Sequence, residues 1–200
     1  MRSTILWSAL LLWVLTGCST PISRAPTPLD WLQHRARLQQ LTHWQASGKL
    51  ALRSAERAET AALNWRQDGP QTRLRLSGPM GLNSATIYSD GRQMEVQQGD
   101  ELHVWDVSTP GALASSTGWD LPLPALPYWL KGLPWPQSPV QRLEMDPALA
   151  LPRTLLQDDW EIHYEHYRQF EDLALPTRLR IRRGDTSVRL IISNWQVLPG

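Results

Sequence analysis

Apolar and polar side chains alternate with a period of two from His43 almost to the C-terminus, and this most constrains what the chain can become. Trp44, Ala46, Gly48, Leu50 and Leu52 share one side, with Gln45, Ser47, Lys49 and Ala51 on the other. Successive strand side chains point to opposite faces, so such a segment has one buried and one wet face, as in an antiparallel sheet. The pattern returns at Ala61, Leu63 and Trp65, and again at Thr72, Leu74 and Leu76 against Arg73, Arg75 and Ser77. Ala85 and Ile87 precede Ser89-Asp90-Gly91, a hairpin signal, after which Met94 and Val96 resume the face. Leu102 and Val104 follow a turn at Gln98-Gly99-Asp100. Further strands are expected at Leu143, Leu155-Leu156, Trp160-Ile162-Tyr164, Leu179-Ile181 and Val188-Leu190-Ile192, with Pro176 and Gly184-Asp185 separating the last three.

Strands of about 5–6 residues over this length predict a mainly β fold of roughly 10–11 antiparallel strands, a meander being the simplest topology. Helical material is scarce. Leu29–Leu41 reads as a helix capped by Thr27 with Pro28 in its first position, and Pro110–Ala114 and Pro124–Lys131 as two short ones. A wide one-sided sheet must cover its apolar face. With so thin a cover, the expected form is a single open, unclosed β-barrel or half-barrel with short helices as a lid over an apolar cavity. Its wall is predicted to carry Trp44, Leu50, Leu52, Trp65, Leu74, Leu76, Ile87, Val96, Ile162, Tyr164, Leu179, Ile181, Leu190 and Ile192.

The first residues are a processing signal. Arg2 supplies the positive start, and the uncharged run Ile5–Leu15 is too short to span a bilayer, which takes about 20 apolar residues. Leu15-Thr16-Gly17-Cys18 resembles a bacterial lipobox, and Cys18 is the only Cys of the chain. Residues 1–17 are therefore expected to be cleaved and Cys18 acylated. Residues 18–28, rich in Ser and Pro, form a tether, and residues 29–200 form one domain. Ser19 after the Cys resembles the default that sends lipoproteins to the outer membrane.

Composition excludes several classes. A formal net charge of +1 leaves no broad basic field for nucleic acid. A single Cys removes internal disulfides and Cys-cluster metal sites. No G-x-S-x-G, H-E-x-x-H or phosphate-cradling glycine loop occurs, so no catalytic residue, cofactor or metal is assigned. His163 and His166, three apart in a strand pattern, are expected on opposite faces. Arg178, Arg180 and Arg182 alternate on one face, which reads as solvated or as a dock for an acidic partner or lipid headgroups. An anchored structural or adaptor lipoprotein and a tethered hydrolase are the competing classes. The first predicts a filled core, the second converging acid/base groups.

Several segments then line up in order: the Trp44…Gly48 strand, Leu63-Asn64-Trp65 and Leu74-Arg75-Leu76-Ser77-Gly78-Pro79-Met80-Gly81. Leu121-Pro122-Leu123-Pro124, Tyr128-Trp129-Leu130-Lys131-Gly132-Leu133-Pro134, Trp160-Glu161-Ile162-His163-Tyr164, Leu175-Pro176 and Asn194-Trp195 follow. With the lipobox, they resemble the LolB family of outer-membrane lipoprotein receptors. The resemblance implies a receptor anchored in the outer membrane and facing the periplasm. It would accept lipoproteins from a LolA-like carrier, hold their acyl chains in the cavity and insert them into the inner leaflet. It also implies no enzyme activity and no cofactor; a monomer is expected. A family loop that presents a bulky apolar residue to the membrane, usually Leu, corresponds to Pro79, Met80, Gly81 and Leu82. Met80 stands at the tip between a strand-breaking Gly78-Pro79 and Gly81, with Leu82 beside it.

Overall fold

The computed structural model describes residues 30–55, 58–79, 84–107 and 122–199. The signal peptide, Cys18, the tether, Thr27-Pro28, Met80 to Leu82 and the helix expected at Pro110–Ala114 lie outside them. Helix α1 (Trp31–Gln40) starts at Asp30, whose carboxylate accepts from the Leu32 and Gln33 N–H groups. The cap expected at Thr27 is thus corrected to Asp30, a strong acceptor for these orphan donors. α1 buries His34 and Leu38, while Leu32 is 73% exposed.

Eleven strands follow: β1 (His43–Arg53), β2 (Ala58–Asp68), β3 (Gln71–Ser77), β4 (Ala85–Ser89), β5 (Gln93–Gln98) and β6 (Glu101–Asp106), then β7 (Val140–Met145), β8 (Pro152–Gln157), β9 (Trp160–Phe170), β10 (Leu173–Arg183) and β11 (Thr186–Val197). They form one antiparallel sheet in the order β6-β5-β4-β3-β2-β1-β11-β10-β9-β8-β7. The chain runs as a meander to one edge, crosses over, and meanders back until β11 pairs with β1. The crossover carries α2 (Leu126–Trp129), one turn long, and covers the concave face. The sheet and its core lie within residues 30–199, so a chain starting at Ser19 retains every element described.

Indoles organise the centre. Ala46 is paired with Trp65 on one side and Trp195 on the other. Its small side chain leaves room for Trp44, whose ring lies 6.0 Å from Trp65 and 5.1 Å from Trp195. Offset and tilted pairs at such distances add about 0.5–1.5 kcal/mol beyond area burial. Gly48 sits at a register shift between β1 and β11. A Cβ there would fall 2.0 Å from the Ile191 carbonyl oxygen, so only glycine fits.

Three further sequence expectations change. Pro176 lies inside β10, and the β9–β10 turn is at Glu171-Asp172. A register shift beside Pro176 relieves the ladder of the N–H that proline lacks. The bulge at Glu165 also flips the later half of β9, so His163 and His166 both face outward rather than opposite ways. On β6, Trp105 pairs with the buried Met94, whereas Leu102 and Val104 are 60% and 52% exposed. The apolar reading of Leu102 and Val104 fails because β6 is an edge strand whose inward positions are His103 and Trp105.

Candidate functional site

The two halves of the concave face are filled differently. On β9–β11, Ile162, Leu179 and Ile181 are 0% exposed, and Tyr164, Leu190 and Ile192 at most 5%. All six belong to the apolar core with Trp129 and Trp160, whose rings lie 6.4 Å apart. On β1–β4, Trp44, Trp65, Leu74 and Ile87 belong to the same core but also border a hollow of about 350 Å³. The register assembles this wall, with Trp65 opposite Leu74 and Leu74 opposite Ile87. Across from it stand Leu123, Pro127, Tyr128 and Trp135 of the crossover. The volume is at the lower end of the roughly 300–1,000 Å³ of ligand sites. The wall residues are buried and the rim positions Gln39, Pro70, Gly91 and Gln137 are exposed, so the hollow is narrow and opens through a polar mouth.

Of the other predicted wall residues, Leu76 and Val96 are half-buried against the same core. Leu50 and Leu52 are half-buried toward the far end of β1. Pro79 is exposed just beyond β3. Met80, Gly81, Leu82 and Cys18 are among the residues not described.

Two buried glutamines organise the polar groups around the site. Gln67, 6% exposed, accepts from the Trp65 Nε1–H (3.1 Å) and the Thr72 hydroxyl (2.8 Å), and donates to the Gly69 carbonyl (2.9 Å). Trp65 is thereby held flat on the wall. Gln157, 0% exposed, accepts from Trp129 Nε1 and the Trp135 N–H, each at 2.9 Å. Its amide nitrogen donates to the Trp135 and Ser138 carbonyls at 2.8 and 2.7 Å. One side chain of β8 thus fixes the crossover at three places. The Trp44 indole N–H and the Tyr164 hydroxyl are buried with no partner among the described residues. Burial pushes the Tyr164 phenol far above its ordinary pKa.

Lys131 is the one charged side chain on the hollow's wall among the described residues. Its ammonium donates to the Leu38 and Leu41 carbonyls at 3.1 and 2.7 Å, where the negative end of α1 receives it. It also lies 5.8 Å from the centre of the Tyr128 ring. Burial lowers its pKa to about 8. The lysine therefore ties the end of α1 to the crossover at the hollow. Sequence reading assigned no role to Gln157 or Lys131. A lone lysine amid Trp129-Leu130 and Gly132-Leu133 was the available signal, since a charge in an apolar run needs a buried partner.

Among the described residues, no three His, Cys, Asp or Glu side chains gather closely enough to hold a metal, and no helix is long and apolar enough to cross a membrane. The site's geometry is that of a capped half-barrel with a hollow under its cap. The same fold is seen in a LolA superfamily protein from Nitrosomonas europaea, with a TM-score of 0.51, 9% identity and coverage of 84% of this chain and 94% of that one. A DUF1329 family protein from Desulfovibrio piger gives 0.54 at 11% identity, covering 84% and 92%. At these identities the fold alone is shared, and it sets the class: an open, capped β half-barrel. A family model described as outer membrane lipoprotein LolB matches residues 42–195. The outer-membrane lipoprotein LolB of Alkalilimnicola ehrlichii is 38% identical over 99% of this chain and 99% of its own length. That of Cellvibrio japonicus is 32% identical over 92% and 91%. The chain belongs to the LolB family of outer membrane lipoproteins.

Proposed function

We propose that this protein is the outer-membrane receptor that takes lipoproteins from a LolA-like periplasmic carrier and inserts them into the inner leaflet of the outer membrane. The observation that carries the reading is the hollow: apolar on both walls, roofed by the crossover, and opening through a polar mouth. An acyl chain entering it leaves water for Trp44, Trp65, Leu74 and Ile87, at about 0.8 kcal/mol for each methylene buried. Transfer in one direction needs no energy source if the receptor binds more tightly than the donor. A difference of about 1.4 kcal/mol already favours it tenfold, which one or two additional methylenes supply.

In this reading Cys18 carries the lipid anchor, and the domain faces the periplasm as a monomer that performs no covalent chemistry. Met80, with Pro79, Gly81 and Leu82, is the element that leads acyl chains into lipid. The test loads a LolA-like carrier with a lipoprotein and mixes it with the chain from Ser19 onward, followed by affinity capture. Cargo should move to this chain and stay there. Cargo that remains with the carrier at equilibrium would contradict the proposal.

A further inference from the structure

The outer face of the sheet concentrates positive charge on a molecule that is close to neutral. Three cross-strand rows are read from the register. Lys49, Ile191 and Arg178 form the first, Ala51, Arg189 and Arg180 the second, and Arg53, Ser187 and Arg182 the third. Each row carries two cations, and all six are exposed. At ordinary strand and residue spacings the patch measures about 10 Å across the strands and about 14 Å along them.

Three carboxylates border it: Glu59, and on β9 Glu165 and Glu161, each of which is shared. Glu165 meets Arg180 at 3.0 Å and Arg189 at 3.6 Å. Glu161 meets Arg182 at 2.8 Å and Arg142 at 3.2 Å. Hydrogen bonds from Arg182 and His163 hold the Glu161 carboxyl below the usual carboxylate range, so it stays ionised. Lys49, Arg53 and Arg178 make no ion pair among the described residues. The face keeps a surplus of positive charge after every pair is counted.

Two shallow depressions, of about 510 and 480 Å³, open between these cations because Ala51, Ala58, Thr60 and Ala62 are small. Gly78 and Pro79 border the second, beside Lys49, Arg189 and Ile191. The basic face and Gly78-Pro79 therefore share one margin of the molecule.

We propose that this face docks on a bilayer containing anionic phospholipids, with the six cations receiving headgroup phosphodiesters. The proposal rests on the reading of residues 79–82 as the membrane-inserting loop. A lipid surface fits better than an acidic protein. Stable protein interfaces are centred on buried aromatic or apolar anchors, and this patch has no Trp or Tyr, only Ile191 at 37% exposure. Mobile headgroups need no such anchor, only charge spread over a shallow surface. Docking by this face would lay the Pro79 margin against the membrane.

The test measures co-sedimentation of the chain from Ser19 onward with two vesicle types, phosphatidylcholine alone and a two-to-one mixture with phosphatidylglycerol. The probe is the triple variant Lys49→Gln/Arg53→Gln/Arg178→Gln, which spares both shared carboxylates. Thermal melting confirms that it folds. Each cation near an anionic surface contributes about fivefold to partitioning at low salt, so the variant should lose more than tenfold on mixed vesicles and nothing on phosphatidylcholine. The parent's preference for mixed vesicles should fade as salt rises. Met80→Glu serves as the separate arm: it should weaken binding to phosphatidylcholine vesicles too, which the triple variant does not, and to mixed vesicles by about fivefold more because it adds a negative charge. If Met80→Glu has no effect while the triple variant loses mixed-vesicle binding, the loop reading fails and the headgroup surface stands. If the parent shows no preference for mixed vesicles, or the triple variant retains it, the headgroup surface is wrong. It is equally wrong if the triple variant binds mixed vesicles normally and loses only cargo uptake from the carrier, which would assign the face to a protein partner.

Discussion

The two halves of the sheet use the same alternating pattern and arrive at different interiors. On β9–β11 the inward residues meet Trp129, Trp160 and one another, and only a void of about 10 Å³ remains beside Leu175 and Trp195. On β1–β4 equally apolar residues face the crossover across a gap. The difference comes from the cover. Gln157 ties the crossover down over β8, whereas among the described residues Leu123, Pro127 and Tyr128 of the cover stand across the hollow from the wall of β1–β4. One half holds the fold together, and the other leaves room for a ligand.

Truncations separate these roles. Ile181→Ala in the filled half should destabilise the chain by about 2–5 kcal/mol, the range for a buried Ile that leaves a cavity behind. Affinity for an acyl probe should be unchanged in whatever fraction stays folded. Leu74→Ala on the hollow's wall removes contacts on one side only, so its cost should fall near 1–2 kcal/mol. Its larger effect should be on probe affinity. Urea denaturation measures both stabilities, and equal losses in the two halves would erase the distinction.

A smaller effect is read against pH. Lys131 has a folded pKa of about 8, below the value of about 10.4 for a free lysine. Below pH 8 both states are charged, and the fold bears the full cost of burying the ammonium. Between about pH 8 and pH 10 the folded state sheds its proton first and the unfolded chain binds more, so stability rises with pH. The gain should be at most about 2 kcal/mol. Above pH 10 it should reverse, because Tyr164 and Tyr167 hold their protons in the fold but lose them when unfolded. Lys131→Met should abolish the rise, and a flat profile in the parent would show that the lysine is not buried as described.

The smallest stability effect is expected at Met80. A substitution at a loop tip, the place proposed for Met80, typically shifts stability by under about 0.5 kcal/mol. Met80→Glu should therefore melt like the parent and accept cargo from the carrier. It should release cargo into liposomes more slowly, because a carboxylate resists the acyl region. Release at the parental rate would remove Met80 from the insertion step.

Much of this was legible in the sequence because period-two alternation reports a strand's face directly. The strand number, the open sheet and the wall positions Trp44, Trp65, Leu74 and Ile87 follow from it. What failed depends on events between strands. A bulge at Glu165 turned His166 outward, and nothing in Tyr164-Glu165-His166-Tyr167 announces an extra residue. Pro176 resembles a strand end because proline cannot donate to a ladder, yet the register shift beside it made it tolerable. The division of fourteen apolar residues between hollow and core was also invisible. Both populations alternate identically, and what the crossover sets opposite them tells them apart.

The most direct measurement is binding of a dansyl-labelled fatty acid to the chain from Ser19 onward, set against Ile87→Trp, which fills the hollow, and Ile181→Ala as the control in the filled half. The account predicts saturable binding by the parent, a loss of at least tenfold for Ile87→Trp with the fold intact by circular dichroism, and parental affinity per folded molecule for Ile181→Ala. Equal binding by the parent and a folded Ile87→Trp, or no saturable binding by the parent, would contradict it.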